Sequence, residues 1–240
     1  MVVYAQPDKA KSRLVLEAFA QGCGGRVAST TATQLEPGPA AFYGIRPAWR
    51  HLWEQAKAEG RDWFYLDNAY LDADRETRFR VCRNAVQQTE FRPAGRRQVA
   101  PWHKSGDHIL ICPQSDEFMA TVAGWRGDWA AWVAGELQRF TTRPIRTRSK
   151  GSRATLVDDL AGAWAVVVHT SAIANEALLA GIPTFCTGPC AASQMGLSDL
   201  SLIESPRYPD GREEWAAAVA AAQWTLAEMR DGTCWRQLTR

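Results

Sequence analysis

Three stretches of this 240-residue chain carry residue types spaced for chemistry. In the first, Val166-Val167-Val168 runs into the polar turn His169-Thr170-Ser171. A helical pattern follows at Ile173, Ala177, Leu178 and Ala180 and is stopped by Gly181 and Pro183. A turn between the carboxyl end of a buried strand and the amino end of a helix offers unpaired backbone N–H groups and the positive helix pole, which favour an anion. Glu176, five residues beyond Ser171, cannot hold phosphate but can accept hydrogen bonds from sugar hydroxyls. In the second stretch, residues 144–150, alternation puts Arg146, Arg148 and Lys150 on one strand face. Guanidinium forks and an ammonium both suit phosphate; charges guarding an edge strand are the other reading. In the third, Leu66-Asp67-Asn68-Ala69-Tyr70 leaves a strand end, where a partly desolvated Asp67 can take a proton or simply cap the loop.

These residues need strands and helices in alternation behind them. Apolar runs predict strands at 2–5, 26–30, 40–43, 63–66, 108–112 and 184–186, with an alternating one at 78–84. Asp8 can cap a helix carrying Ala10, Leu14 and Phe19. Pro47 starts a second with Trp49, Leu52, Trp53 and Ala56 on one face, and Asp128 caps a third with Trp129, Trp132, Val133 and Leu137. A short helix is expected at 155–163 and a long one at 212–230, striped by Trp215, Val219, Ala222, Leu226 and Met229. Alternating strands and helices predict α/β sheets, whose ligands sit beyond the carboxyl strand ends. That rule also singles out the turn after residue 43, with Gly44 and Arg46.

Residues 87–105 lack periodicity and mix Arg92, Arg96, Arg97 and Lys104 with Trp102 and His103. Cations with a stacking ring are what a nucleic-acid loop needs; a solvated basic linker has the same composition. His103 is a second candidate base. The net charge of +2 does not by itself announce nucleic-acid binding. The six cysteines lack paired zinc spacings; several, such as Cys112, sit in apolar strands and read as small buried residues, and a reducing compartment is expected. With no leader-like or membrane-length apolar run, the expectation is a soluble, cytoplasmic protein without membrane partners.

The strand, the Ser/Thr turn and Asn175-Glu-Ala-Leu-Leu-Ala-Gly-Ile-Pro183 resemble the donor-binding half of the two-Rossmann-domain (GT-B) glycosyltransferases, with a flavour of bacterial capsule sugar transferases. The whole chain also resembles proteins encoded by tailed phages. The resemblance implies two Rossmann-like domains facing a cleft, an acceptor-side domain over 1–100, a nucleotide-sugar domain over 101–210, and a C-terminal helix over 211–240 crossing back to the first. It implies that Ser115, Arg148, Lys150, His169, Thr170 and Ser171 hold a donor diphosphate and Glu176 a ribose or sugar hydroxyl. The base would be Asp67 or His103. Gly44, Arg46, Asn68, Tyr70, Arg96, Arg97 and Lys104 would face the acceptor. No metal or cofactor is implied, the nucleotide-sugar being a substrate. The acceptor expected is a hydroxymethylpyrimidine in phage DNA, in the cytoplasm of an infected bacterium. A surface or capsule saccharide and an inactive DNA-binding module of the same fold are the alternatives.

Overall fold

The computed structural model describes residues 1–5, 9–149 and 151–240. The chain runs β1 (Val2–Ala5), α1 (Ala10–Gly22), β2 (Arg26–Ser29), β3 (Ala40–Tyr43), α2 (Arg50–Ala58), β4 (Trp63–Asn68), β5 (Phe79–Arg83) and β6 (His108–Cys112). It continues through α3 (Asp116–Phe118), α4 (Trp129–Leu137), β7 (Ile145–Thr147), α5 (Leu156–Leu160), β8 (Ala163–Val168), α6 (Ile173–Leu179) and β9 (Thr184–Cys186). The last elements are α7 (Arg212–Ala221), β10 (Gln223–Trp224), α8 (Leu226–Arg230) and α9 (Thr233–Leu238). The expected cap Asp8 and the expected phosphate ligand Lys150 lie outside the described residues.

The fold is mixed α/β, built on two sheets. Two compact units divide the chain, Met1–Val86 with Ala222–Arg240, and Gln87–Ala221. The sequence reading set its divisions after residues 100 and 210. Hydrogen bonds explain where the observed ones fall. The irregular stretch after Val86 is tied to the second unit, with Ala100 N–H donating to Leu179 at 3.0 Å and His103 N–H to Gly181 at 2.8 Å.

The first unit's sheet has the order β10-β5-β4-β3-β1-β2, parallel from β4 to β2 and antiparallel at β5 and β10. Strands β1 and β3 are buried along almost their whole length, as apolar runs in a covered parallel sheet must be. Helix α1 packs Val15, Leu16 and Phe19 against Phe64, Leu66, Val81 and Met229. Burying each such side chain contributes roughly 2 kcal/mol. Gly22 makes the approach of α8 possible, since a Cβ there would lie 1.8 Å from the Met229 carbonyl.

The long helix expected over 212–230 is two helices. Gln223 and Trp224 leave the helix to pair with Arg80 and Phe79 of β5, and Thr225 restarts it through a capping box with Glu228. The apolar stripe continues through both pieces, so periodicity alone hides the two-residue strand.

The second unit's sheet is all parallel in the order β7-β6-β8-β9. Ile109, Ile111, Val167 and Phe185 meet Trp129, Val133 and Leu137 of α4 on one face. Helix α6 ends in a Schellman motif: Gly181 N–H donates to Leu178 at 3.1 Å and Ile182 N–H to Ala177 at 2.8 Å. Gly181 has φ +83°, and a Cβ there would sit 2.0 Å from the Pro101 carbonyl. The helix-stop glycine is therefore also the seat of the irregular stretch. Among the described residues no helix is long and apolar enough to cross a membrane.

Candidate functional site

Strand order locates the crevice in each unit. From β6 the second sheet grows one way to β7 and then the other way to β8. The switch point therefore lies between the carboxyl ends of β6 and β8, where a ligand meets no crossover connection. Two short loops leave there: Pro113-Gln114-Ser115, and His169-Thr170-Ser171. In the first unit the same logic selects the ends of β1 and β3, the latter followed by Gly44 with φ +66°.

In the second unit the predicted turn is assembled around the gap. Thr170 Oγ1 accepts from Gln114 Nε2 at 3.2 Å, and its carbonyl accepts from Gln87 Nε2 at 3.1 Å. Thr170, 2% exposed, therefore shapes the turn from within. Ser171 Oγ lies 3.4 Å from the Ile173 N–H, a long cap, and its carbonyl accepts from the Cys190 thiol at 3.7 Å. The backbone N–H groups of Thr170, Ser171 and Ala172 have no hydrogen-bond partner among the described residues. Three consecutive open donors at a strand end are an arrangement that suits an anion.

His169 is half-buried, with its ring edge-on to Trp129 at 6.1 Å. Burial lowers its pKa, favouring the neutral ring. Its Nδ1 lies 3.1 Å from Thr187 Oγ1, whose hydroxyl reaches the Val168 carbonyl at 3.5 Å. With the Thr187 hydroxyl donating to Val168, the matching tautomer is the one with the proton on Nδ1. Glu176 is half-buried in the first turn of α6. Ser115 is exposed at the other lip, where its Oγ caps α3 by accepting from Phe118 N–H at 3.3 Å.

The basic strand face differs from expectation. Strand β7 covers only Ile145–Thr147, so alternation does not carry through to residue 150. Arg148 lies just beyond it, and its Nη1 donates to the Ala154 carbonyl at 2.8 Å and pairs with Asp159 of α5. Acidic residues in a neighbouring helix have drawn the guanidinium into a clamp on that helix.

In the first unit Asp67 faces Arg80 across the antiparallel β4–β5 pair. Its Oδ2 accepts from Arg80 at 2.7 Å and from the Tyr65 hydroxyl at 3.0 Å, while Oδ1 accepts from Asn68 N–H at 2.8 Å. Burial is the largest single influence on Arg80 and works against its charge, but Asp67, Tyr65, Tyr70 and Cys82 together outweigh it and raise the arginine pKa. A carboxylate so engaged has to surrender an ion pair to accept a proton. Tyr70 is core, 1% exposed with its hydroxyl 3.2 Å from Cys82 Sγ, and its ring is closed to any acceptor. Asn68 accepts from the Tyr43 hydroxyl at 3.1 Å, while Arg46 is exposed beside the Gly44 turn.

The loop residues fall in the second unit. Arg96 pairs with Glu213 at 2.6 Å and Glu214 at 3.1 Å, and Arg97 N–H donates to the Glu213 carbonyl at 3.0 Å. His103 is exposed, and Lys104 sits over the Tyr208 ring at 5.6 Å. Sequence reasoning missed Gln87, Gln114 and Thr187. Strand order, which puts the ends of β6, β8 and β9 side by side, makes Gln114 and Thr187 neighbours of the turn, and Gln87 reaches it from the irregular stretch. Among the described residues no three His, Cys, Asp or Glu side chains cluster to hold a metal.

No known family model and no curated protein sequence matches the chain. Solved structures do. A KpsC beta Kdo 2,7 transferase from Thermosulfurimonas dismutans aligns with TM-score 0.52 and 10% identity, over 99% of this chain and 100% of that one. A KpsC beta Kdo 2,4 transferase of the same organism aligns with TM-score 0.51 and 12% identity, over 91% and 90%. At such identities the likeness is one of fold alone.

Proposed function

We propose that this protein is a glycosyltransferase that moves a sugar from a nucleotide-sugar to a saccharide acceptor. The observation that carries the reading is the near full-length alignment with two Kdo transferases. The switch-point crevice of the second unit supplies the chemistry. Open N–H groups at Thr170, Ser171 and Ala172, with the Ser115 hydroxyl, take the donor phosphates, and Glu176 takes a hydroxyl of the ribose or sugar. As the bond to the leaving phosphate breaks, negative charge grows on it, and fixed N–H dipoles stabilise that charge without reorganising. No metal is required for this step.

Both similar structures carry Kdo transfer in their names, and a Kdo-like acidic sugar is the substrate class we carry over. Transfer to a hydroxymethylpyrimidine in DNA comes from the resemblance to tailed-phage proteins, with the basic loop near Arg96 and Arg97 as its support in the sequence. Arg96, the loop's clearest phosphate ligand, is neutralised by two glutamates. The saccharide acceptor is therefore preferred.

Mass spectrometry decides among these. The protein is incubated with a panel of sugar nucleotides and either an oligosaccharide acceptor or DNA containing hydroxymethylcytosine. A sugar-sized mass gain on the oligosaccharide is expected. A gain on the DNA nucleosides alone replaces the acceptor, and no transfer from any donor removes the enzyme reading.

A further inference from the structure

A pocket of about 390 Å³ opens at the carboxyl end of β9, the last strand of its sheet. Cys186, Thr187 and Gly188 line it together with Ser193, Ser198 and Arg207. The lining is tied to the sheet edge, because Leu197 exchanges hydrogen bonds with β9: Cys186 N–H to Leu197 at 2.7 Å and Leu197 N–H to Thr184 at 3.0 Å. Two of its glycines let the lining pack closely on its neighbours. A Cβ on Gly188 would lie 2.4 Å from the His169 ring, and one on Gly196 2.8 Å from the Thr184 carbonyl.

The lining contains no carboxylate. Arg207 is exposed and makes no ion pair among the described residues. The Ser198 hydroxyl adds a donor, while the Thr187 and Ser193 hydroxyls are engaged with His169 and the Cys190 N–H. The hydrogen bond to the Cys190 thiol and burial raise the pKa of the Cys186 thiol well above its ordinary range, so it contributes no negative charge. One uncommitted guanidinium among hydroxyls selects an oxyanion on a polyhydroxylated body. The volume falls within the range of small-molecule sites.

We propose that this pocket binds the oxyanion of a sugar, a carboxylate or a phosphate, with Arg207 as its counter-ion. Thr187 belongs both to the pocket and, through His169, to the crevice turn, so the bound sugar is a substrate portion next to the donor phosphates. That placement rests on the transferase reading; the anion preference rests on the lining alone.

The test is titration of the full chain with glucose, glucuronate and glucose 6-phosphate, which differ only at carbon six. At least one anion binds about fivefold or more tightly than glucose, and the anion favoured names the source. Arg207→Met abolishes the preference and Arg207→Lys keeps part of it. Equal binding of all three, or a preference that survives Arg207→Met, overturns the proposal. CMP and UMP are titrated alongside. Nucleotide binding by the wild type is expected; no nucleotide binding beside an intact anion preference sinks the transferase reading and leaves the pocket standing.

Discussion

The Thr187 hydroxyl stands 3.1 Å from His169 Nδ1, joining the end of β9 to the turn after β8. It holds the ring in place beside the open N–H groups. Thr187→Val removes the bond while keeping the shape. One neutral hydrogen bond contributes about 1 kcal/mol, so the melting temperature moves by only a few degrees. CMP or UMP affinity falls several-fold, read by calorimetry, because the ring is free to swing over the crevice. Unchanged nucleotide affinity in a folded variant would remove Thr187 from the site.

Burial depresses the pKa of His169. The unfolded chain, with an ordinary histidine pKa near 6.5, takes up a proton that the folded state resists. The resulting stability is complete above about pH 6.5 and is lost as pH falls through the depressed value. Between pH 7.5 and 5.5 the melting temperature of the wild type should fall more steeply than that of His169→Gln. Parallel curves would place the imidazole in water.

Gly181 carries two constraints, φ +83° and the Pro101 carbonyl where a Cβ would go. Gly181→Ala costs both left-handed strain and displacement of the Pro101 segment, together about 2–4 kcal/mol in chemical denaturation. Gly24 has φ +64° with nothing within 4 Å of a Cβ, so Gly24→Ala costs only about 1 kcal/mol. Equal losses would show that the close approach adds nothing.

That glycine also shows what the sequence could tell. Triple valine, polar turn and Gly-Ile-Pro are local signals, each set by neighbours within a few residues, and β8, α6 and β9 formed where they were expected. The partners of Arg148 and Asp67 are not local. Asp159 reaches Arg148 because α5 folds back beside β7, and Arg80 reaches Asp67 through antiparallel register. Charge type was legible at both positions, but whether the charge is spent within the fold depends on pairings that no window of sequence contains. Gln114 and Thr170 illustrate the converse, two unremarkable polar residues 56 positions apart that strand order brings to 3.2 Å.

Asp67 and Arg80 test this distinction directly. Arg80 is 7% exposed at its side chain and Asp67 27%. Removing one partner strands a buried charge, at about 3–5 kcal/mol in comparable pairs. Asp67→Asn should therefore destabilise the protein strongly, and adding Arg80→Met should recover much of the loss. A catalytic carboxylate gives another pattern: Asp67→Asn folds normally, loses turnover, and gains nothing from the second substitution.

Glu176 lies in the first turn of α6, half-buried, five residues past Ser171. A carboxylate there repels phosphate, so its value to a donor lies in accepting hydrogen bonds from two sugar or ribose hydroxyls. Bonds to a charged acceptor contribute about 1.5–3 kcal/mol, which converts to a loss of roughly 10- to 150-fold in nucleotide affinity for Glu176→Ala. Glu176→Gln keeps the oxygen but not the charge and falls between. A 2′,3′-dideoxynucleotide separates the readings, since it cannot use the carboxylate. The wild type should bind it weakly, and Glu176→Ala should cost it nothing further. If the dideoxynucleotide loses affinity on Glu176→Ala as the ribonucleotide does, the carboxylate acts on the fold of α6 and not on the donor.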